Sequence, residues 1–134
     1  MAFNILIVDD SSIIRSMLKK TFSAAGIPVG EVIEAGNGRE GIEKLESNWV
    51  DLMFLDINMP VMDGMTMIDR MQDRDEFRDT PVVVVSTEGS RTKIDKLWGK
   101  GIKAFISKPF SPEKVRNIVR DVLGDWEEPD RGSF

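Results

Sequence analysis

Ile5-Leu6-Ile7-Val8-Asp9-Asp10-Ser11-Ser12 is the stretch from which the rest of the chain is read. Four apolar residues in a row, three of them β-branched, suit a strand covered on both faces. Two carboxylates and two hydroxyls follow at once. From Ser12 to Ala25 the period changes, with Ile14, Met17, Leu18, Phe22 and Ala25 at helical spacing. Gly26 and Pro28 close that helix.

The same alternation recurs along the chain. A short strand around Val32-Ile33 precedes a helix carrying Ile42 and Leu45, with Asn37 and Glu40 spaced as a capping box. Leu52-Met53-Phe54-Leu55 reads as a strand. Asp63 then caps a helix carrying Met67, Ile68 and Met71. Val82-Val83-Val84-Val85 is a further strand. The helix after it carries Ile94, Leu97 and Trp98 and is interrupted by Gly99 and Gly101. Ala104-Phe105-Ile106 is the last strand, and Ser111-Pro112 opens a last helix with proline at its first position. Val115, Ile118, Val119 and Val122 form its apolar stripe. Strand and helix thus alternate five times, which predicts an α/β fold: a five-stranded parallel sheet, doubly wound, with five helices.

Composition limits the chemistry. The 134 residues include no histidine and no cysteine. That excludes Ser-His-Asp and Cys-His catalysis, zinc fingers, iron–sulfur clusters and disulfides. A net charge of −5 argues against general nucleic-acid binding. No apolar run is long enough to span a bilayer, and the first residues do not resemble a secretory leader, so the expected location is cytoplasmic. Residues 1–124 are expected to form the domain and 125–134 a polar, frayed tail, with Trp126 able to fold back on the body.

In such sheets ligands bind beyond the carboxyl ends of the strands. Asp9 and Asp10 follow the first strand, Asp56 the third, Ser86 and Thr87 the fourth, and Ser107-Lys108-Pro109 the fifth. Three converging carboxylates repel one another or take up a cation. An oxygen-only set suits Mg²⁺ or Mn²⁺. A carboxylate beside such an ion, with a lysine opposite, is a competent phosphoryl acceptor. Taken singly, each residue has a plainer reading. Asp9-Asp10-Ser11-Ser12 and Ser86-Thr87 also suit helix caps, and Lys108 a solvated loop lysine.

Together these residues resemble the response-regulator receiver domains, and among them the stand-alone chemotaxis type. The resemblance covers about residues 4–123. It rests on Asp9-Asp10, on Leu55-Asp56-Ile57-Asn58-Met59-Pro60 with Met62-Asp63-Gly64, on Ser86, and on Lys108-Pro109-Phe110. It implies strand order 2-1-3-4-5 and a switch that accepts a phosphoryl group from a histidine kinase. It makes Asp56 the phosphoacceptor, and Asp9, Asp10, Asp56 and the Asn58 carbonyl the Mg²⁺ ligands. Lys108 and Ser86 would contact the phosphoryl group. Phe105 takes the place of the switch aromatic, here without a hydroxyl because the chain has no tyrosine. Asn58 and Glu88 hold the positions that tune phosphate lifetime, and the Lys108–Pro109 bond is expected to be cis.

Arg91, Lys93, Lys96, Lys100, Lys103 and Lys108 face a single acid, Asp95, between positions 91 and 108. With Ile94 and Phe105, the residues Arg91, Lys93 and Lys96 are expected to form an output face for an acidic or amphipathic target protein or peptide. A solvated face is the plainer reading. The chain is expected to act as a monomer, with no nucleic-acid or membrane partner.

Rival functions use similar residues. A stand-alone phosphorelay intermediate has the same site. A haloacid-dehalogenase-like Mg²⁺ phosphatase needs Asp-x-Asp after the first strand, where this chain has Asp-Asp-Ser, and a cap domain that 134 residues do not accommodate. A flavodoxin-like cofactor binder needs neutral amides and hydroxyls for a phosphate, where Asp9-Asp10 repels one. A receiver controlling a DNA-binding domain needs that domain, and the sequence ends shortly after the last helix.

Overall fold

A computed structural model describes residues 2–126. The elements are β1 (Phe3–Val8), α1 (Ser12–Ala24), β2 (Val29–Ala35), α2 (Gly38–Ser47), β3 (Leu52–Leu55), α3 (Gly64–Gln72), α4 (Asp75–Arg78), β4 (Val82–Ser86), α5 (Arg91–Gly99), β5 (Ala104–Ser107) and α6 (Pro112–Leu123). All strand pairs are parallel, in the order β2-β1-β3-β4-β5. This is the doubly wound α/β order expected above.

Strand alternation splits the core in two. Leu6, Val8, Met53, Leu55 and Val84 point to one face, where Leu45, Met67, Ile68 and Leu97 of α2, α3 and α5 cover them. Ile5, Ile7, Leu52, Phe54, Val83 and Val85 point to the other, under Leu18 and Phe22 of α1 and Val115 and Val119 of α6. Every strand residue on both lists is desolvated, which is why the strands read as unbroken apolar runs. Trp126 folds back on the body, the alternative to fraying that the sequence left open, and meets Phe3 edge-on, ring centroids 6.1 Å apart. Of the expected frayed tail, 125–134, residues 127–134 lie outside the described residues.

The caps follow the sequence. Asn37 Oδ1 accepts from Glu40 N at 3.0 Å, and Glu40 Oε2 in return accepts from the Asn37 side-chain amide at 2.9 Å. Asp63 Oδ1 accepts from Thr66 N at 2.8 Å, and Ser111 Oγ from Lys114 N at 3.2 Å.

Four details differ from expectation. The described residues hold a sixth helix, α4, a single turn whose one buried residue is Phe77. Four residues are too few to show a helical period. Gly99 and Gly101 do not interrupt α5: Gly99 is its last residue, and Gly101, at φ +90°, turns the chain out of it. The cap of α5 is Ser90, not Ser86-Thr87. Finally, Met17 and Trp98 are 47% and 48% exposed. The buried stripe of α1 instead includes Thr21, whose hydroxyl donates to the Met17 carbonyl at 2.8 Å.

The loop after β3 is packed without slack. A Cβ built on Gly64 would lie 2.4 Å from the Asp56 carbonyl oxygen and 2.9 Å from Ile57 Cα. One on Gly99 would meet nothing within 4 Å. Gly64→Ala is therefore expected to lower unfolding free energy by about 2 kcal/mol or more, as overpacking against backbone does. Gly99→Ala should stay within about 0.5 kcal/mol of wild type. Urea denaturation of the pair checks this, and equal stabilities would refute it.

Candidate functional site

Buried strands push polar side chains to their carboxyl ends, and the switch in strand order lies between β1 and β3. Asp9 and Asp10 leave β1 there and Asp56 leaves β3. The Asp56 backbone N–H donates to the Val8 carbonyl at 2.9 Å, which ties the two strand ends together. One carboxylate oxygen from each of Asp9, Asp10 and Asp56 lies within 4.8 Å of the others. Asp9 and Asp56 are buried, and Asp10 is exposed at the mouth.

Lys108 enters from the end of β5. Its ammonium lies 3.1 Å from Asp9 Oδ2 and 3.7 Å from Asp56 Oδ2. Its side chain is only 16% exposed, which rules out the solvated-lysine reading. The Lys108–Pro109 bond is cis, as expected. Ser86 is buried at the end of β4, and its Oγ accepts from Glu88 N at 3.1 Å. The hydroxyl proton is thereby left to donate to the Asp56 carboxylate.

The two oxygens of Asp56 are not equivalent. Oδ1 accepts the Ile57 N–H at 2.8 Å, while Oδ2 faces Lys108. Burial pushes the Asp56 carboxyl above its usual pKa. Lys108 opposes that shift, the neighbouring Asp9 charge adds to it, and the Ile57 N–H and the Ser86 hydroxyl oppose it again. A group whose ionised form is short of solvation, beside two further carboxylates, fits a hard cation. The donor set is all oxygen, as Mg²⁺ or Mn²⁺ requires.

The remaining expected residues lie around this crevice. Asn58 is exposed in the β3–α3 loop. Glu88 is half-buried and lies 3.8 Å from Lys93 Nζ on α5. Phe105 is half-buried against the core face shared by α2, α3 and α5, paired across the ladder with Val84. Arg91, Lys93 and Lys96 are exposed on α5 and Ile94 is half-buried between them. Lys100 leaves that face, because its ammonium reaches Asp69 on α3 at 2.6 Å.

Two contacts that shape the site were not visible in the sequence. Arg15 on α1 donates from Nη1 to the Asp9 carbonyl and from Nε to Glu34 Oε1 at 3.0 Å, clamping the β1–α1 loop to β2. Gly64 allows α3 to begin against the Asp56 backbone. Both act through long-range contacts that no local spacing announces.

Comparison with known proteins agrees with this geometry. Residues 5–120 match the family model described as the response regulator receiver domain. The chain is 33% identical to chemotaxis protein CheY1 of Helicobacter pylori over 121 residues, covering 90% of this chain and 96% of that protein. It is similar in structure to chemotaxis protein CheY4 of Vibrio cholerae, with a TM-score of 0.81 and 32% identity, covering 92% of this chain and all of that one, 100%. It is also similar to a chain of the CheX-CheY-BeF3-Mg²⁺ complex from Borrelia burgdorferi, with a TM-score of 0.79 and 32% identity over 90% of this chain and 89% of that one.

The raised pKa of Asp56 has a stability consequence with a definite sign. Without divalent cations, ionised Asp56 weakens the fold above its raised folded pKa. That handicap fades as the pH falls through this value towards the unfolded one. Asp56→Asn is thus expected to melt at a higher temperature than wild type at neutral pH, with the gap narrowing on acidification. Added Mg²⁺ should raise the wild-type melting temperature more than the variant's. Thermal melts at several pH values test this; a variant less stable than wild type at neutral pH would contradict it.

Proposed function

The chain belongs to the response regulator receiver domain family, and on that premise we propose that it is a chemotaxis-type phosphorylation switch with Asp56 as phosphoacceptor. The observation that carries this reading is the placement of the Asp56 carboxylate. Oδ1 is taken up by the Ile57 N–H, and Oδ2 faces Lys108 across 3.7 Å beside two further carboxylates.

The donor is a phosphohistidine on a histidine kinase, since this chain has no histidine of its own. Asp56 Oδ2 attacks phosphorus in line, a P–O bond forms, and the P–N bond to the kinase imidazole breaks. Asp9, Asp10, Asp56 and the Asn58 carbonyl would hold Mg²⁺, which when bound would supply charge neutralisation for the transferring group. Lys108, now closer to Asp9 than to Asp56, shifts its ammonium towards the new phosphoryl oxygens. Ser86, its oxygen already accepting from Glu88 N, donates its hydroxyl proton to another of them.

Phosphorylation replaces the single carboxylate charge of Asp56 with about two on the phosphoryl group, a net gain of about one in a crevice that already repels it. Drawing Ser86 towards the phosphoryl group pulls on the β4–α5 loop, where Glu88 faces Lys93. Phe105, in ladder register with Val84 two residues before Ser86, repacks in response. The face of Arg91, Lys93, Ile94 and Lys96 then changes its affinity for an acidic or amphipathic target. Relatives named as chemotaxis proteins at 33% identity across 90% of the chain support that pathway class.

Incubation with Mg²⁺ and acetyl phosphate should add one phosphoryl group to the wild type and none to Asp56→Asn, read by intact mass. Equal labelling of both would remove Asp56 from its role. The phosphorylated form should lose its phosphate in seconds to minutes, given Asn58 and Glu88; an hours-long half-life at neutral pH would refute that part. Charge reversal at Arg91, Lys93 and Lys96 should weaken target binding without changing the labelling rate.

A further inference from the structure

A cleft lies at the end of the sheet opposite the carboxylates. Its volume is about 610 Å³, and it is bounded by Leu45, Trp49, Val50, Arg74, Phe77 and Pro81. That volume lies within the roughly 300–1,000 Å³ of ligand sites. None of these residues takes part in the phosphoryl site.

Its walls are held in place. The Arg74 guanidinium lies 4.4 Å from the Phe77 ring centroid and pairs with Glu46 at 2.8 Å and Glu76 at 2.6 Å. The Trp49 indole N–H donates to Asp51 Oδ1 at 3.0 Å, yet the residue is 76% exposed. With its one donor engaged, what Trp49 offers to a partner is its π face. The charge around it is one-sided: Glu46, Asp51, Glu76 and Asp79 line the cleft against a single cation, Arg74.

We propose that this cleft docks an arginine- or lysine-bearing, partly apolar segment of a partner protein. A cation is attracted both to the face of an exposed indole and to the surrounding carboxylates. Its aliphatic stem and an adjacent apolar side chain cover Leu45, Val50 and Phe77. An anionic ligand meets the opposite field. The cleft shares no residue with the phosphoryl site, so this docking stands independently of the role of Asp56.

Fluorescence anisotropy of a labelled Arg-Leu-Arg-Leu-Arg-Leu peptide tests it, with the Glu-for-Arg peptide as control. The arginine peptide is expected to bind saturably and the glutamate peptide not at all. Trp49→Ala should weaken binding at least about tenfold, as loss of an aromatic anchor does. Trp49→Phe should retain part of the affinity, and Asp79→Lys should lose several-fold. Saturating Mg²⁺, which occupies the acidic crevice, and Asp56→Asn should leave binding unchanged. Should Trp49→Ala fail to fold, by circular dichroism, the Asp79→Lys variant at an exposed position reads the same surface. Loss of binding on adding Mg²⁺, insensitivity to the cleft substitutions, or no saturable binding below millimolar peptide would each overturn the proposal. Self-association of the chain alone that is abolished by Trp49→Ala would also overturn it, in favour of a second copy as occupant.

Discussion

The sheet is covered on both faces, and the rest of the molecule follows from that constraint. A strand desolvated on both sides cannot carry a charge along its length, because an unpaired buried charge is prohibitively costly. Polar side chains are therefore displaced to the strand ends. Ile5 to Val8 must be apolar before Asp9 and Asp10 can appear, and Leu52 to Leu55 before Asp56. The core thus builds the site by exclusion, and the reversal of strand order between β1 and β3 brings the excluded carboxylates together.

The site so formed is electrostatically unfinished. Lys108 is one cation among three carboxylates, and it divides its ammonium unequally between Asp9 and Asp56. Burial keeps the Asp56 pKa raised despite Lys108, and the surplus of carboxylates makes the crevice receptive to a divalent cation. In the proposed switch the same imbalance makes phosphorylation consequential, since new charge there must be met by moving groups that are already committed. Ser86 and Lys108 sit at the ends of neighbouring strands, so on that proposal the response starts in the sheet before it reaches α5.

Much of this was legible in the sequence because it is local. Apolar runs, caps and the residue after each strand are read within a few positions. The five strands, the caps at Asn37, Asp63 and Ser111, and the convergence of Asp9, Asp10, Asp56, Ser86 and Lys108 all came from such patterns. The strand order came from family resemblance, because alternation alone does not distinguish one doubly wound order from another. What stayed hidden is either too short or too distant. The single turn of α4 has no period. The contacts of Arg15 with Asp9 and Glu34, of Gly64 with Asp56, and of Lys100 with Asp69 join residues that only the fold makes neighbours. The exposure of Met17 and Trp98 shows the limit of helical spacing: it marks a stripe but not which residues on its border the neighbouring element covers.

The indoles give the molecule an optical property. Each crossover helix runs back from the carboxyl edge of the sheet, and the three tryptophans come where such helices end. Trp49 follows α2, Trp98 is next to last in α5, and Trp126 follows α6. All three chromophores thus gather at the pole remote from the aspartates, with no tyrosine to contribute background. Intrinsic emission therefore reports on that pole, and an emission change on phosphorylation would register transmission across the sheet.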